Sequence, residues 1–312
     1  MCDPNRNLVM NEKDRMQTDK EIYALLQLLD DPDDEIFDTV ANKLVDYGTY
    51  IIPRLESLWE STADELLQER MKLLIHRVHF NDLQEEVIDW ASSEEPELLR
   101  GAILVAKYQH PDINIPALLT QFDKIRRNVW LELNNYLTPL EQVNVLNSII
   151  YNYYKLEGQE LTKRDPRHFF INQVLDSKQG NPYSLGVLYL AICEVLDIPV
   201  FAVDIPRQFI LAYIDTLHSF FSNDPDGLQQ IQFYVDPISG MAYTQKDLDM
   251  YLRKIKAADR DHYFKPLSNR RIIYKMLEEL SLCYGYKQEK RKAEDIIVLM
   301  KLIINEMQEE DN

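Results

Sequence analysis

Cysteine is scarce in this chain: Cys2, Cys193 and Cys283 are the whole set. Three is an odd number, and no spacing suits a zinc-ligand pair, so neither a disulfide framework nor a zinc centre is implied. Glycine is sparse as well, with 8 residues and no Gly-rich phosphate loop. No His/Asp/Glu metal set stands out, and no cofactor or metal is expected. Long apolar runs are missing: nothing approaches the ~18 residues of a membrane span. The N-terminal MCDPNRNLVMNEKDR has no apolar segment behind a basic start, which predicts no signal peptide. Positive charge is in short supply, with 34 Lys and Arg against 52 Asp and Glu, a net charge of −18. Nucleic-acid binding relies on Lys and Arg neutralising phosphates, so a polyanion of this kind is expected to bind neither nucleic acid nor an anionic membrane. The charge also keeps a protein soluble, and with so few thiols the expected compartment is the reducing cytoplasm.

What is present is a globular composition, 46% apolar and 28% charged. Its organising stretch is Gln179 to Tyr213. Asn181 is a good N-cap, because its side-chain oxygen can accept an orphan N–H of the first turn. Pro182 follows at the first helical position, where its missing N–H costs nothing. From Leu185 to Leu196 only Glu194 interrupts the apolar run. A helix apolar on every side belongs inside a domain. Asp197-Ile198-Pro199 ends it, and Val200–Val203 and Phe209–Ile214 read as strands.

Before this stretch the pattern is helical. Residues 1–18 are polar and expected to fray. Helices are predicted over 21–29, 35–48, 50–61, 64–80, 83–92, 97–109 and 115–133, with Gly48 as a C-terminal cap and Pro53 in a first turn. Acidic turns with proline recur at Asp31-Pro32-Asp33, Glu95-Pro96-Glu97 and His110-Pro111-Asp112. That recurrence resembles HEAT-type α-solenoid repeats, whose stacked units present a long surface to a partner; a plain helical bundle is the other arrangement. Thr138-Pro139-Leu140-Glu141 opens a helix over 140–156. After the strands come a polar loop at Ser222–Gly227, a strand at Ile231–Pro237, a turn and helix over 238–255, and two helices over 269–285 and 287–307. The last pair reads as a tetratricopeptide-type hairpin.

Several short motifs agree in order over residues 140–307. They are Asp165-Pro166-Arg167-His168-Phe169, Gly180-Asn181-Pro182 with Ser184-Leu185 and Leu188-Tyr189, and Leu196-Asp197-Ile198-Pro199. Pro206-Arg207-Gln208-Phe209-Ile210 follows, then Val235-Asp236-Pro237 with Gly240. On these residues the chain resembles the SirB-type branch of the transglutaminase-like superfamily. The resemblance implies a papain-like α+β core, a helix packed on a small antiparallel sheet, with repeat-like helices after it. The expected organisation is therefore a flexible start (1–18), a HEAT-like domain (19–135), a transglutaminase-like core (136–260) and a TPR-like helix pair (261–312), mostly helical throughout.

In active relatives, the resemblance further implies, the helix N-terminus bears a Cys, the following strand a His and the next strand an Asp. A helix N-terminus and a nearby imidazolium both favour thiolate, and the carboxylate orients the imidazole. Here the nucleophile position falls near Pro182 to Ser184, without a cysteine. The His position is Gln208, whose amide cannot take a proton at neutral pH. Asp236 alone keeps its type. The degenerate-cleft candidates are thus Ser184, Gln208 and Asp236, with Asn181 and Pro182 capping the helix beside them. Cys193 lies nine residues past Ser184, about 13 Å along the axis and on the opposite face, so it is expected to be a buried hydrophobe. Ser184 is expected to hydrogen-bond within the first turn. His168 and His218 are expected to be ordinary histidines, and Asp236 to end a strand. Tyr183 or Tyr213 could plug the cleft. The expected function is a non-catalytic binding or scaffold module for a protein partner, its acidity favouring a basic face. The alternatives are a residual hydrolase or acyl-transferase using the cleft, and assistance to folding or assembly through the repeats.

Overall fold

The computed structural model describes residues 12–31, 33–215, 231–257 and 264–310; Cys2, His218 and the loop at Ser222–Gly227 lie outside them. The chain divides into two compact units, Met1–Glu85 and Glu86–Asn312.

The first unit holds α1 (Glu12–Leu26), α2 (Asp34–Val45), α3 (Ile52–Ser61) and the larger part of α4 (Glu65–Ala91). Asp33 caps α2, its carboxylate accepting from the Glu35 N–H at 2.9 Å. Pro53 takes the first turn of α3 as expected. Gly48, at φ +61°, does not cap α2 directly; it turns the chain into a short 3-10 segment, Gly48–Ile51. Ile22, Leu44, Ile51, Leu55, Met71 and Leu74 form the core of this unit. The segments 64–80 and 83–92, separate in the sequence reading, are one helix. Asn81-Asp82 holds neither Pro nor Gly, and buried positions continue at Leu83 and Val87.

The second unit begins with α5 (Leu98–Gln109), α6 (Ile115–Glu132) and α7 (Pro139–Asn147). Asn114 caps α6, and Thr138 with Glu141 closes a capping box on α7. A π-helical turn, Ser148–Tyr153, prolongs α7. Strand β1 (Glu157–Gly158) pairs in parallel with β2 (Gln179–Gly180). Between them lie two 3-10 turns, Leu161–Lys163 and Pro166–Phe169, and α8 (Ile171–Ser177). Next come α9 (Pro182–Val195), β3 (Val200–Ile205), β4 (Gln208–Ile214), β5 (Ile231–Val235) and β6 (Ala242–Tyr243). The described chain ends with α10 (Gln245–Lys254), α11 (Asn269–Tyr286) and α12 (Lys290–Glu310).

Helix α9 is the apolar rod its sequence predicts: every residue from Tyr183 to Cys193 is buried. It packs against α5, α8, α11 and strands β3 and β4. Among the described residues, β3 to β6 form a four-stranded antiparallel sheet in that order. Pro206 and Arg207 make the two-residue turn joining β3 to β4, with Ile205 paired to Gln208. Arg207 sits at φ +62°, the third position of a turn that favours glycine.

The pleat assigns the two faces of the sheet. Val203, Ile205, Ile210, Ala212 and Ile214 form one core with Leu248 and Leu252 of α10 and with Phe264. Phe209 and its cross-strand partner Asp204 occupy the other face. There the Phe209 ring lies so close to Gly186 of α9 that any side chain at 186 would run into it. Asp204 pairs with Lys275 of α11 at 2.7 Å.

Candidate functional site

The N-terminus of α9 is built as a tight polar knot. Asn181 Oδ1 accepts from the backbone N–H groups of Tyr183 (2.9 Å) and Ser184 (3.0 Å). Ser184 Oγ accepts in return from the Asn181 N–H at 3.0 Å and donates to the carbonyl of His168 at 2.6 Å. Asn181 is 2% exposed and Ser184 not at all. The capping role expected for Asn181 and Pro182 is therefore realised. The serine hydroxyl also binds locally, with one partner the sequence did not suggest, a carbonyl sixteen residues back.

The three cleft candidates are not brought into one hydrogen-bonded set among the described residues. Gln208 is exposed at the first position of β4, and its side chain makes no hydrogen bond among the described residues. Because it pairs with Ile205, it shares the face of Ile205 and Ile210, turned toward α10 and away from α9. The residue that faces α9 is its neighbour Phe209. Asp236 ends β5, and its carboxylate serves the turn that follows. Oδ1 accepts from the Ile238 N–H at 3.0 Å and Oδ2 from the Ser239 hydroxyl at 2.7 Å. An aspartate capping the residues just after it is an Asx-type turn, which the run Asp-Pro-Ile-Ser-Gly could have signalled.

That turn is pinned from outside by two residues the sequence reading passed over. Asn147 Nδ2 donates to the Gly240 carbonyl at 2.7 Å, and the Tyr151 hydroxyl donates to the Pro237 carbonyl at 2.8 Å. Gly240 has φ +70°, and a side chain there would meet Asn147. Burial, with Asp236 nearby, raises the Tyr151 phenol, so it stays a donor.

Tyr183 stands where a cleft would open. It is 8% exposed, its ring lies against Phe209, and burial first, then Glu279, Glu278 and Asp204, push its phenol up. Cys193 is buried as expected, and burial raises its thiol, which disfavours the thiolate. Among the described residues no group of His, Cys, Asp and Glu is arranged to hold a metal ion. No described helix is long and apolar enough to cross a membrane.

Beside the knot lies a cavity of about 270 Å³, walled by Glu160, Arg164, Asp165, Asn181, Glu279 and Cys283 among others. Asp165 is held at about 2, well below the usual carboxylate value, chiefly by hydrogen bonds from the Arg167 guanidinium. Burial pushes the Cys283 thiol up to about 11.

A buried helix capped by Asn-Pro, laid on an antiparallel sheet whose strand ends in Asp-Pro, defines a class. The sequence pattern of the Transglutaminase-like superfamily matches residues 116–278, and the chain belongs to that superfamily. Among individual proteins, it is similar to UPF0162 protein YchA of Escherichia coli, 26% identical over 165 residues, covering 51% of this chain and 57% of that one. A UPF0162 protein of Xylella fastidiosa is 28% identical over 117 residues, 36% of this chain and 41% of its own. F-box only protein 21 of Homo sapiens is 24% identical over 137 residues, 37% of this chain and 22% of its own. The chain thus covers less than two thirds of the length of each of these relatives. No solved structure matches it.

Proposed function

We propose that this protein is a non-catalytic member of the transglutaminase-like superfamily, on its SirB-type branch, acting in the cytoplasm as a binding or scaffold module for a protein partner. The observation that carries this reading is the orientation of Gln208. The position where relatives of the resembling kind keep an imidazole holds an amide, and that amide turns away from Ser184. A serine becomes a nucleophile only with a base beside it. The Ser184 hydroxyl instead donates a hydrogen bond to a backbone carbonyl, and Tyr183 fills the approach.

The partner surface proposed is the helical region before residue 136, read as HEAT-like repeats, with the last two helices as a TPR-like pair. Trp130, Leu131 and Tyr136 are exposed at the end of α6 and just after it; Tyr136 is 95% exposed. Large apolar side chains grouped on a surface mark interaction sites. The net charge of −18 favours a partner with a basic face.

The deciding experiment is a broad screen of ester and amide substrates with Ser184→Ala as control. The expected result is no turnover above that control. Turnover lost in Ser184→Ala would replace this reading with the residual hydrolase or acyl-transferase. In parallel, Trp130→Ser is expected to weaken capture of the partner, and capture to weaken as salt is raised.

A further inference from the structure

Two cavities adjoin where α9 ends. The first, of about 340 Å³, is walled mainly by Leu98, Leu190, Ile198, Val200, Leu267 and Ile272. The second, of about 510 Å³, has Trp130 and Leu131 on one side and the amides of Asn134, Asn135 and Gln142 on the other. Asp197 and Ile198 stand in both walls, so the two cavities form one groove with that pair as its ridge. Asp197 has φ +53°, a left-handed conformation that aspartate adopts more readily than most residues, and it turns the chain out of α9 toward Pro199. Strand β3 borders the first cavity and is the outer strand of its sheet. Residues 265–267 cover its outer edge only from Ala202 onward, where the Leu267 N–H donates to the Ala202 carbonyl at 2.9 Å. The start of β3 is therefore an open edge among the described residues.

The charge in this groove has one sign. Neither wall contains Lys, Arg or His among the described residues, whereas Asp197 serves both and Glu194 the first. Glu194 is held by neutral donors, the Asn269 amide at 2.8 Å and the Leu98 N–H at 3.4 Å. Asp197 is exposed, and its carboxylate has neither a hydrogen bond nor an ion pair among the described residues. The Trp130 ring, 59% exposed, likewise has no aromatic or cationic partner among them. Such a wall repels an anion. It suits a guanidinium, which forks onto a carboxylate and stacks on an indole at the same time. The first cavity, mostly apolar and within the ~300–1,000 Å³ of binding pockets, suits an aliphatic side chain. Because the cavities meet at Asp197, the two groups are wanted side by side on one chain, and the open edge of β3 offers hydrogen bonds to an extended backbone.

We propose that this groove binds an extended peptide segment of the partner protein in which an aliphatic residue neighbours an arginine. The aliphatic side chain enters the first cavity, and the guanidinium pairs with Asp197 against Trp130. The inference rests on the partner-binding reading above and deepens it, because it names the chemistry of the segment that is held.

The test is NMR titration of the full chain with three acetylated pentapeptide amides: GRLRG, GQLQG without the charges, and GRARG without the anchor. GRLRG is expected to bind at least fivefold more tightly than either of the others. Asp197→Asn keeps a residue suited to the left-handed conformation, and is expected to weaken GRLRG at least fivefold while leaving GQLQG within twofold. Trp130→Ser is expected to weaken GRLRG as well, whereas Asp112→Asn, an exposed acid outside the groove, changes nothing. Melting curves of the three variants establish that they fold. No binding of GRLRG at roughly 10 mM, equal binding of GQLQG or GRARG, or GRLRG binding untouched by Asp197→Asn each overturns the proposal. So does sedimentation showing a dimer that Trp130→Ser dissociates, since a second copy would then occupy the groove. The two readings fail separately. Peptide binding without any captured partner removes the scaffold function alone, and partner capture indifferent to Asp197→Asn removes this groove alone.

Discussion

Tyr183 lies over Phe209 with ring centroids 4.7 Å apart and planes inclined by 31°. This contact joins the first turn of α9 to the strand that would carry a catalytic base, and it fills the ground between them with carbon. Replacing Tyr183 by Ala removes a buried aromatic side chain whose neighbours are held by the sheet. The expected cost is about 3–5 kcal/mol, since the site cannot collapse around a rigid strand. Urea unfolding followed by circular dichroism measures it. Tyr183→Ala is also expected to leave the substrate screen blank, because emptying the space supplies no base.

Ser184→Ala isolates the other half of the knot. The variant loses the donor to the His168 carbonyl and the acceptor for the Asn181 N–H, two groups that also bond each other at 3.3 Å. Each group keeps one of its two partners, so the stability loss is expected to be about 1–2 kcal/mol. Ser184→Cys is the informative companion. A buried thiol at this helix N-terminus has no imidazole beside it, and Asp236 is engaged in its own turn, so the variant is expected to alkylate slowly and to turn over no ester. Mass spectrometry of the iodoacetamide-treated protein measures the first point.

How far the sequence could be read depended on the range of the forces involved. Caps are local, so Asn181-Pro182 and Thr138-Pro139-Leu140-Glu141 announced the starts of α9 and α7 correctly. The all-apolar run from Leu185 fixed the buried helix, and the β-rich runs after Pro199 fixed β3 and β4. The facing of Gln208 was out of reach, because it depends on the two-residue turn at Pro206-Arg207 and the pairing with Ile205 that the turn imposes. The continuity of α4 is not legible, because Asn81-Asp82 is a weak signal in either direction. The cavity could not be seen at all: Asp165, Asn181 and Glu279 meet only once α11 docks beside α9. In the sequence Asp236 reads as a strand end; its role in the turn depends on the positions of Ser239 and Gly240.

Asp165 predicts a pH dependence. Its folded pKa, about 2, lies below the ordinary value of 3.8, because the carboxylate accepts hydrogen bonds from Arg167. A depressed carboxylate contributes stability that is present above the unfolded pKa and is lost as pH falls through the folded one. Asp165→Asn retains an oxygen for the Arg167 N–H and loses only the charge. The melting temperatures of the two proteins are therefore expected to differ by a constant amount from about pH 7 to about pH 5 and to converge between about pH 4 and about pH 2. Melting curves across that range check it. A gap that widens on acidification contradicts the assignment.

Arg270 is one of three buried polar residues among the described ones, 5% exposed in the first turn of α11. Its Nε donates to the Ala91 carbonyl at 2.5 Å, and a guanidinium Nη donates to the Ser93 carbonyl. Ala91 closes α4, and the last carbonyls of a helix have no partner inside it. A planar guanidinium presents donors to both oxygens at once, which a single ammonium matches poorly. Arg270→Met keeps the volume and removes the donors, leaving two carbonyls unpaired at about 1–3 kcal/mol each. Arg270→Lys restores one of them and is expected to lose about half as much. For a unit of this size each kcal/mol lowers the melting temperature by roughly 2–4 °C. Calorimetry should therefore rank the proteins wild type, Arg270→Lys, Arg270→Met, and equal melting of the two variants would mean that packing of the side-chain stem, and not carbonyl pairing, holds α11 to the end of α4.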